Sequence, residues 1–493
     1  MHSGERFRSP LSSTTATDRR RCRRQRRPIV AAVVDTGDRP SPLSSTLATD
    51  GRRRRSRSTT AATKVEMQLT LLLSTVVGLT MAAVYQMPLV KTGSPRIRMM
   101  RKGTWREALK QRNAARIKAR ATALAAGETY RQNVNDYYDT QYFGNVTVGT
   151  PEATFQVVLD TGSADFWIPD VTCAPPPKEK SCEASVCDSG TLCKVFCPNK
   201  ERCCAETGKK YTCAGKHAYD WRQSQTAKQK GGTWEIEYGT GSASGEFSVD
   251  IVRFGNVGDK RLEVPGTVVG RATKIAEFFK DIPMDGILGL AFKAASTSNI
   301  APPFVRAYQL GLVDPVFTVH MRSVGDAENV FGGVFTYGGI DTENCDKEVT
   351  YVKLTYAAFF LFEMDAVSLG NFHDKSGWEV ISDTGTSFIG APTRIADEIA
   401  KAAGARYDKD EEAYFVDCEK PSDLKLRIGG RDYVIEGRNF KVTLKEDVCV
   451  LPIFGMEGGW FGPSWILGDP FIRQFCNIHD MKKLMIGFAK SLY

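Results

Sequence analysis

This chain of 493 residues has few histidines, few long apolar runs and no pair of cysteines at the two-residue spacing common in zinc sites. Only five histidines are present, and no two of the thirteen cysteines are separated by two residues, so no pattern typical of a zinc site occurs. The uncharged stretch at residues 67–90 contains Gln86 and Pro88 and makes a poor membrane-spanning helix. With 42% hydrophobic and 25% charged residues, the chain is neither collagen-like nor wholly disordered, and its length allows two or three domains.

The net charge of +9 is unevenly distributed along the chain. Residues 1–66 hold 16 Lys or Arg against 6 Asp or Glu, residues 67–83 hold no charge, and residues 84–128 hold 11 against 2. The remainder, residues 129–493, therefore carries a net charge of −10. An acidic body argues against a main domain that binds nucleic acid.

Residues 1–66 are of low complexity. The hexapeptide Ser-Pro-Leu-Ser-Ser-Thr occurs at residues 9–14 and again at residues 41–46, each time ahead of an Arg-rich run. Such a segment has too few apolar residues to offset the entropy lost on ordering. We predict a disordered extension or an artefact of the gene model, and a nucleic-acid or localisation arm is the alternative.

Residues 67–83 begin with Met67, carry no charge and end in two alanines. This pattern is typical of a secretory signal peptide, although the run has no Lys or Arg of its own; if translation starts at Met1, it would act as a signal anchor. We predict cleavage, and so a secreted or lysosomal protein with no stable membrane anchor. Residues 84–128 are basic and have a helical pattern from 105 to 126. We predict that they bind the acidic body of the same chain through opposite charge.

The cysteines agree with export. Twelve remain when Cys22 in the extension is set aside, and eight of these lie from Cys173 to Cys213 with His217 as the nearby histidine. We therefore predict a disulfide-bonded insertion over residues 173–213, in which eight cysteines allow on the order of a hundred pairings. The single sequon predicts glycosylation at Asn145, which is compatible with secretion.

The strongest chemical signal is an Asp-Thr-Gly triplet that twice follows a buried-strand pattern. Residues 157–163 are VVLDTGS and residues 379–387 are EVISDTGTS, whereas the triplet at residues 35–37 lies between no strands and is treated as coincidence. Glycine lets backbone N–H groups approach the carboxylate, and the Thr hydroxyl can tie one turn to the other. Two such turns predict a facing pair, Asp160 and Asp383, which shares a proton and separates its pKa values.

Further patterns predict strands around these turns. Residues 234–242 alternate apolar and polar side chains, turn at glycines and then alternate again, which predicts a β-hairpin. The runs DGILGL at residues 285–290 and WILGD at residues 465–469 predict buried strands.

These motifs and their order resemble the pepsin family of aspartic proteases from about Tyr137 to Tyr493, and YFGNVTVGTP at residues 142–151 is similar to that family's opening strand. The resemblance implies an all-β, bilobal fold of two pseudo-symmetric β lobes, residues 129–315 and 316–493, with the active site in the cleft between them. It implies a monomeric endopeptidase that acts on protein or peptide substrates and needs no cofactor or metal. Invertebrate members, nematode ones among them, of the digestive or lysosomal cathepsin D-like kind are the most similar.

The resemblance also implies a role for individual residues. Asp160 and Asp383 would be the catalytic dyad, and the supporting residues would be Thr161, Gly162, Ser163, Thr384, Gly385 and Thr386. The hairpin would be a flap over the substrate, with the working residues Tyr238, Gly239 and Thr240 and with Trp167 as hydrogen-bond partner of the tyrosine. The pocket before the scissile bond would be lined by Phe278, Met284 and Ile287, which implies a preference for large apolar residues.

Residues 85–91 resemble the start of the family's propeptide, so residues 84–128 would be a removable inhibitor released when acid protonates the carboxylates that hold it. The pair Cys418 and Cys449 matches the family's C-terminal disulfide. The two cysteines that remain, Cys345 and Cys476, are expected to pair with each other.

The chain also departs from the family pattern. Asp165 stands where the family commonly has Asn, five residues from Asp160, and is a candidate for shifting the pKa values of the dyad. Residues 371–381 contain no cysteine for the family's short disulfide. An inactive pepsin-like binding protein is the alternative function, but such proteins usually lose a catalytic Asp, the Gly after it or the flap Tyr, and all are present.

Overall fold

The computed structural model describes residues 83–110, 142–174, 193–197, 211–238, 241–280, 282–325, 327–456 and 463–493, which belong to one compact unit. The predicted extension, nearly all of the predicted signal peptide, residues 111–128 of the predicted propeptide, and Gly239 and Thr240 of the predicted flap lie outside these ranges.

The described chain is built mainly from short strands, in which β-branched and aromatic residues face the core. The strands before residue 316 are β1 (Tyr85–Lys91), β2 (Tyr142–Val148), β3 (Ala153–Asp160), β4 (Phe166–Pro169), β5 (Lys228–Tyr238), β6 (Gly241–Phe254), β7 (Leu262–Ile275) and β8 (Gly286–Gly289). The later strands are β9 (Val316–Met321), β10 (Val330–Tyr337), β11 (Thr350–Lys353), β12 (Leu361–Met364), β13 (Ala366–Leu369), β14 (Phe372–Asp374), β15 (Trp378–Ser382), β16 (Ile389–Pro392), β17 (Arg406–Asp408), β18 (Ala413–Asp417), β19 (Leu424–Ile428), β20 (Arg431–Ile435), β21 (Val442–Lys445), β22 (Val448–Leu451), β23 (Ile453–Met456), β24 (Trp465–Leu467), β25 (Phe475–Asp480) and β26 (Met485–Lys490).

The helices are short. They are α1 (Pro95–Arg101), α2 (Cys193–Phe196), α3 (Glu277–Lys280), α4 (Pro303–Gln309), α5 (Thr393–Ala402) and α6 (Asp469–Gln474), and residues 105–110 are helical as well. Single 3₁₀ turns occur at Val171–Cys173, Trp221–Gln223 and Lys293–Ala295. Within the described ranges, no helix has the length and apolar character needed to cross a membrane.

The two lobes repeat one strand arrangement. In the first lobe β3 runs parallel to β8, β8 antiparallel to β4, and β4 parallel to β7. In the second lobe β15 runs parallel to β24, β24 antiparallel to β16, and β16 parallel to β23. Because β3 and β15 lead into the two Asp-Thr-Gly turns, the same local sheet geometry presents both turns. This repeat confirms the predicted all-β, bilobal fold.

A thirteen-stranded sheet joins the lobes, in the order β11-β26-β25-β9-β10-β1-β2-β3-β8-β4-β7-β6-β5. Its sixth strand, β1, comes from the predicted propeptide and pairs antiparallel with β10 on one side and β2 on the other. Met87 and Leu89 of β1 are each only 1% exposed. The N-terminal segment, residues 83–110, therefore contributes one strand to the sheet that connects the two halves of the molecule.

Two histidines lie inside this sheet. His479 on β25 is stacked on Phe317 and meets Phe360 edge-on, with ring centroids 4.4 Å from each. His320 on β9 is also fully buried. Burial lowers the pKa of His479 to about 3 and that of His320 to about 4. Both side chains are therefore neutral in the folded protein down to acidic pH.

Three disulfides lie within the described residues. Cys345–Cys476 and Cys418–Cys449 are the pairs expected from the sequence, and Cys173–Cys213 closes the Cys-rich insertion. Cys193 and Cys197 inside the insertion are disulfide-bonded as well. The four described cysteines of the insertion are thus disulfide-bonded, as the sequence predicted, and residues 175–192 and 198–210 of the insertion lie outside the described ranges.

Candidate active site

Each Asp-Thr-Gly turn places its glycine against the carboxylate of the other turn. A Cβ atom on Gly162 would lie 2.5 Å from Oδ1 of Asp383, and one on Gly385 would lie 2.5 Å from Oδ1 of Asp160. Only a residue without a side chain permits both approaches. The two carboxylates, 223 residues apart in sequence, therefore face each other across the junction of the lobes.

The two carboxylates have matching hydrogen-bond partners. The Gly162 N–H donates to Oδ1 of Asp160 at 2.8 Å, and the Ser163 hydroxyl donates to its Oδ2. The Gly385 N–H donates to Oδ1 of Asp383 at 2.8 Å, and the Thr386 hydroxyl donates to its Oδ2 at 2.7 Å. Each Asp is thus held by the N–H two residues on and by the hydroxyl three residues on.

Thr161 and Thr384 lock the two turns together beneath the carboxylates. The Thr161 N–H donates to the Thr384 hydroxyl oxygen at 2.9 Å, and the Thr384 N–H donates to the Thr161 hydroxyl oxygen at 3.0 Å. Each hydroxyl also donates across the lobe junction, to Ser382 O at 2.9 Å and to Leu159 O at 2.5 Å. These four buried hydrogen bonds fix the separation of the carboxylates.

The electrostatics of the pair favour a single shared proton. Burial raises the pKa of Asp160 and of Asp383, and the negative charge of Asp383 raises the pKa of Asp160 further. Hydrogen bonds from the neighbouring N–H and hydroxyl groups partly oppose this rise, and the two carboxyls are also hydrogen-bonded to each other. Two buried carboxylates this close do not both ionise easily, so one holds a proton while the other is charged.

The predicted flap is the hairpin β5–β6, in which Tyr238 is paired with Gly241 at the end of the described strands. Tyr238 is buried, and its hydroxyl oxygen accepts a hydrogen bond from Nε1 of Trp167 at 2.9 Å. Phe279 meets both aromatic rings edge-on, with centroids 5.7 Å from Trp167 and 6.0 Å from Tyr238. Analysis of the sequence missed Phe279, and only its position next to Phe278 in an aromatic pair signalled it.

The three predicted pocket residues lie on one stretch of chain between β7 and the end of β8. Met284 and Ile287 are buried in the same apolar cluster as Tyr238 and Phe279. Phe278 is only partly buried, and it packs against this cluster and also against a second one that contains side chains of the N-terminal segment. The structure thus brings the predicted flap and pocket residues together.

Two other predicted residues are held by partners away from the dyad. Asp165 accepts hydrogen bonds from the Ser296 hydroxyl at 2.8 Å and from the N–H and hydroxyl of Thr297 at 3.0 and 3.1 Å. It is not among the largest causes of the pKa shift of either dyad residue. Asn145 is half-buried on β2, and its amide donates to Oδ1 of Asn256 at 2.8 Å.

The N-terminal segment docks on the second lobe after leaving the central sheet. Arg96 is buried between the rings of Trp105 and Phe388 and donates to the Glu412 carbonyl oxygen at 2.7 Å. Nε1 of Trp105 donates to the Glu411 carbonyl oxygen at 2.8 Å. Four apolar side chains of the segment join the core of this lobe, namely Ile97, Met100, Trp105 and Leu109.

Fold and site together define a class: two-lobed β proteins with a pair of buried, proton-sharing aspartates at the lobe junction. A family model described as eukaryotic aspartyl protease matches residues 141–491. The chain is 43% identical over 430 residues to aspartic protease 2 of Necator americanus, covering 86% of this chain and 99% of the relative. It is 41% identical over 426 residues to aspartic protease 6 of Caenorhabditis elegans, covering 86% and 99%. It is 32% identical over 373 residues to cathepsin D of Gallus gallus, covering 73% and 83%.

The chain therefore belongs to the eukaryotic aspartyl protease family. It is an aspartic endopeptidase, and the similarity to nematode members expected from the sequence is confirmed.

Proposed function

We propose that the protein is made as a zymogen in the secretory pathway and cleaves proteins or peptides at acidic pH as a secreted or lysosomal monomer, with Asp160 and Asp383 as its catalytic dyad. The observation that carries this proposal is the reciprocal approach of each carboxylate to the glycine of the opposite turn. That arrangement serves two carboxyls that share one proton, and it has no purpose in a protein that only binds.

The dyad would act by general acid–base catalysis on a water molecule. The ionised carboxylate accepts a proton from the water as its oxygen attacks the scissile carbonyl carbon, and the protonated carboxyl donates to the carbonyl oxygen. The proton taken from the water then passes to the leaving nitrogen as the C–N bond breaks, and a hydroxyl of the tetrahedral intermediate returns a proton to the other carboxylate as the C=O bond re-forms. The Ser163 and Thr386 hydroxyls stay on the outer carboxylate oxygens, so the inner oxygens face the water.

The flap would complete the site. Tyr238 is held by Trp167, and closure of the hairpin over an extended peptide would exclude bulk water. The peptide would bind as an added strand, with side chains entering pockets alternately.

The zymogen proposal rests on the docking of residues 83–110. Strand pairing of β1 with β10 and β2, apolar packing and hydrogen bonds to carbonyl oxygens hold these residues by contacts that do not titrate. Ion pairs such as Arg106 with Glu411 at 2.8 Å and with Asp410 at 3.4 Å depend on charge. Acid that protonates carboxylates weakens only the ion pairs. We therefore expect acid to loosen the segment and cleavage of the chain to be needed for its release.

Substrate preference follows from Phe278, Met284 and Ile287 in the pocket. We expect the matured enzyme, given a mixed peptide library at pH 3.5, to cut at least about tenfold more often after Phe or Leu than after Ala, because a buried large side chain gains about 1.5 to 3 kcal/mol. The sites are identified by mass spectrometry of the products. Cleavage mainly after charged residues would contradict the pocket assignment, and no cleavage by acid-treated enzyme would contradict the proposed function.

Acid operation has a consequence for the buried histidine His479. Its pKa is lowered to about 3 in the folded state from an ordinary 6.5, so the unfolded chain takes up a proton below pH 6.5 that the folded protein does not. Stability is therefore fully present above pH 6.5 and falls as the pH decreases toward 3. The raised pKa values of the dyad act in the opposite sense, because the folded state holds that proton more tightly.

Between pH 7 and pH 4, we expect the free energy of unfolding of the parent to fall by about 3 kcal/mol more than that of His479→Phe. Urea unfolding of the zymogen measures this, with Asp383→Asn present throughout to prevent self-digestion. His373→Phe, at an exposed position on β14, is the control and should follow the parent. Equal losses in the parent and in His479→Phe would show that the buried imidazole does not set the acid stability.

A further inference from the structure

The base of the Cys-rich insertion is built onto the strand that carries Trp167. We call this base the stem and define it as residues 171–173 and 211–219. The Cys173–Cys213 disulfide joins its two parts, and the Cys213 N–H donates to the Cys173 carbonyl oxygen at 3.1 Å. The Tyr219 N–H donates to the carbonyl oxygen of Pro169, the last residue of β4, at 2.8 Å. The stem is therefore fixed with respect to the sheet beneath the flap.

The chain that forms the pocket wall has little regular structure of its own. Between the end of β7 at Ile275 and the start of β8 at Gly286, the described residues form the four-residue helix α3 and no other helix or strand. A segment with so little regular structure takes its position from the groups around it. The contacts made at the two ends of this segment therefore fix the positions of Phe278 and Met284.

The stem supplies partners at both ends of this segment. At the first end, the Ile275 N–H donates to the Thr212 hydroxyl oxygen at 3.1 Å. At the second end, the Lys216 ammonium group donates to the Ile282 carbonyl oxygen. The sulfurs of the stem disulfide also lie in the apolar cluster that contains Tyr238, Phe279 and Met284.

His217 adds a contact to Asp285, the residue just before β8. Asp285 is 4% exposed, and its carboxylate accepts hydrogen bonds from the His217 N–H at 2.9 Å and from the Gln156 N–H of β3 at 2.9 Å, with Nδ1 of His217 also 2.9 Å away. The Asp285 N–H in turn donates to the Gln156 carbonyl oxygen at 2.7 Å. One carboxylate thus joins the stem, the pocket wall and the strand that ends at Asp160.

We infer that the stem is a positioning element of the substrate pocket, and that Lys216 and His217 set the preference for the residue before the scissile bond by holding the segment from Ile282 to Asp285. This inference rests on the proposed function, because it assumes that Met284 and Ile287 line that pocket. Neither stem residue is a hydrogen-bond partner of the dyad carboxylates, which are held by Gly162, Ser163, Gly385 and Thr386 of the two turns. Loss of the stem contacts should therefore move the pocket wall and leave the chemical step nearly intact.

The test uses the acid-matured enzyme and two peptides that differ only in Phe or Ala before the scissile bond. In Lys216→Met and His217→Ala, we expect the ratio of kcat/KM for the Phe peptide to that for the Ala peptide to fall about tenfold. The fall should come from a higher KM for the Phe peptide, with kcat reduced less than threefold. His217→Asn should keep the parent ratio, because an amide can still donate to Asp285.

The matched controls are Lys401→Met and His373→Ala, both at exposed positions in the second lobe, and each should keep the parent ratio. An unchanged ratio in both stem variants, or an equal loss on both peptides through kcat, would overturn the inference while leaving the proposed function in place. If His217→Ala does not mature, Lys216→Met decides alone. A parent enzyme that cleaves neither peptide would overturn the proposed function and the inference with it.

Discussion

Asp383→Asn and Asp160→Asn should each lower kcat for an apolar peptide by about 10⁴-fold or more, with little change in folding. Asparagine has nearly the same shape as aspartate, so the turn hydrogen bonds from Gly385 and Thr386 can persist. It can neither accept the proton of the attacking water nor donate one to the carbonyl oxygen. The measurement is peptide cleavage at acidic pH after the N-terminal segment has been removed by another protease.

Asp165→Asn is the matched control for these two variants. It makes the same chemical change five residues from Asp160, but this carboxylate is bound to Ser296 and Thr297 and not to the dyad. We expect kcat to stay within about threefold of the parent, since neighbouring charge shifts a pKa only at close range. Substantial activity in Asp383→Asn, or a loss in Asp165→Asn as large as in the dyad variants, would contradict the assignment of the dyad.

The largest expected effect on stability is at Arg271. Its guanidinium is buried, pairs with the buried carboxylate of Asp170 and with Glu246 at 2.9 Å, and lies over the Trp221 ring. Arg271→Met leaves Asp170, which is 1% exposed, without its countercharge. We expect the free energy of unfolding at pH 7 to fall by about 3 to 5 kcal/mol, measured by urea denaturation in the Asp383→Asn background.

Arg427→Met tests whether burial is the cause. Arg427 pairs with Asp432 at 2.8 Å, but both side chains are largely exposed, so this variant should lose less than about 1 kcal/mol. Asp170→Asn combined with Arg271→Met should recover part of the loss, because the buried charge is then absent. If Arg271→Met and Arg427→Met lose equal amounts of unfolding free energy, the buried pair of Arg271 and Asp170 does not stabilise the protein more than an exposed pair.

The catalytic turns could be predicted from the sequence because their chemistry is local. A strand, an Asp-Thr-Gly triplet and a following hydroxyl lie together within residues 153–163 and again within residues 378–386. The hairpin that contains Tyr238 is local in the same way, since its alternation and its glycines are adjacent. The family resemblance implied the pair Cys418–Cys449. Cys345 and Cys476 were then the two cysteines that remained, and so were expected to pair.

The contacts that join distant segments could not be predicted. Residues 85–91 alternate buried and exposed positions, but nothing in them says that they lie between β10 and β2. The direction of Asp165 depends on Ser296 and Thr297, more than 130 residues further on. The link from His217 to Asp285 spans 68 residues and becomes visible only when the strands are assembled. Register and sheet order decide all three, and neither is encoded in a local pattern.

The central claim is that this chain is a zymogen whose own aspartate dyad releases it in acid. The most direct test is to acidify purified residues 85–493 and, in parallel, the Asp383→Asn variant, and to follow the chain length by mass spectrometry. We expect only the unmutated protein to trim itself near residues 126–133 and then to cleave an apolar peptide. If neither protein cleaves the peptide, even after another protease has removed the N-terminal segment, the account is contradicted and a pepsin-like binding protein takes its place.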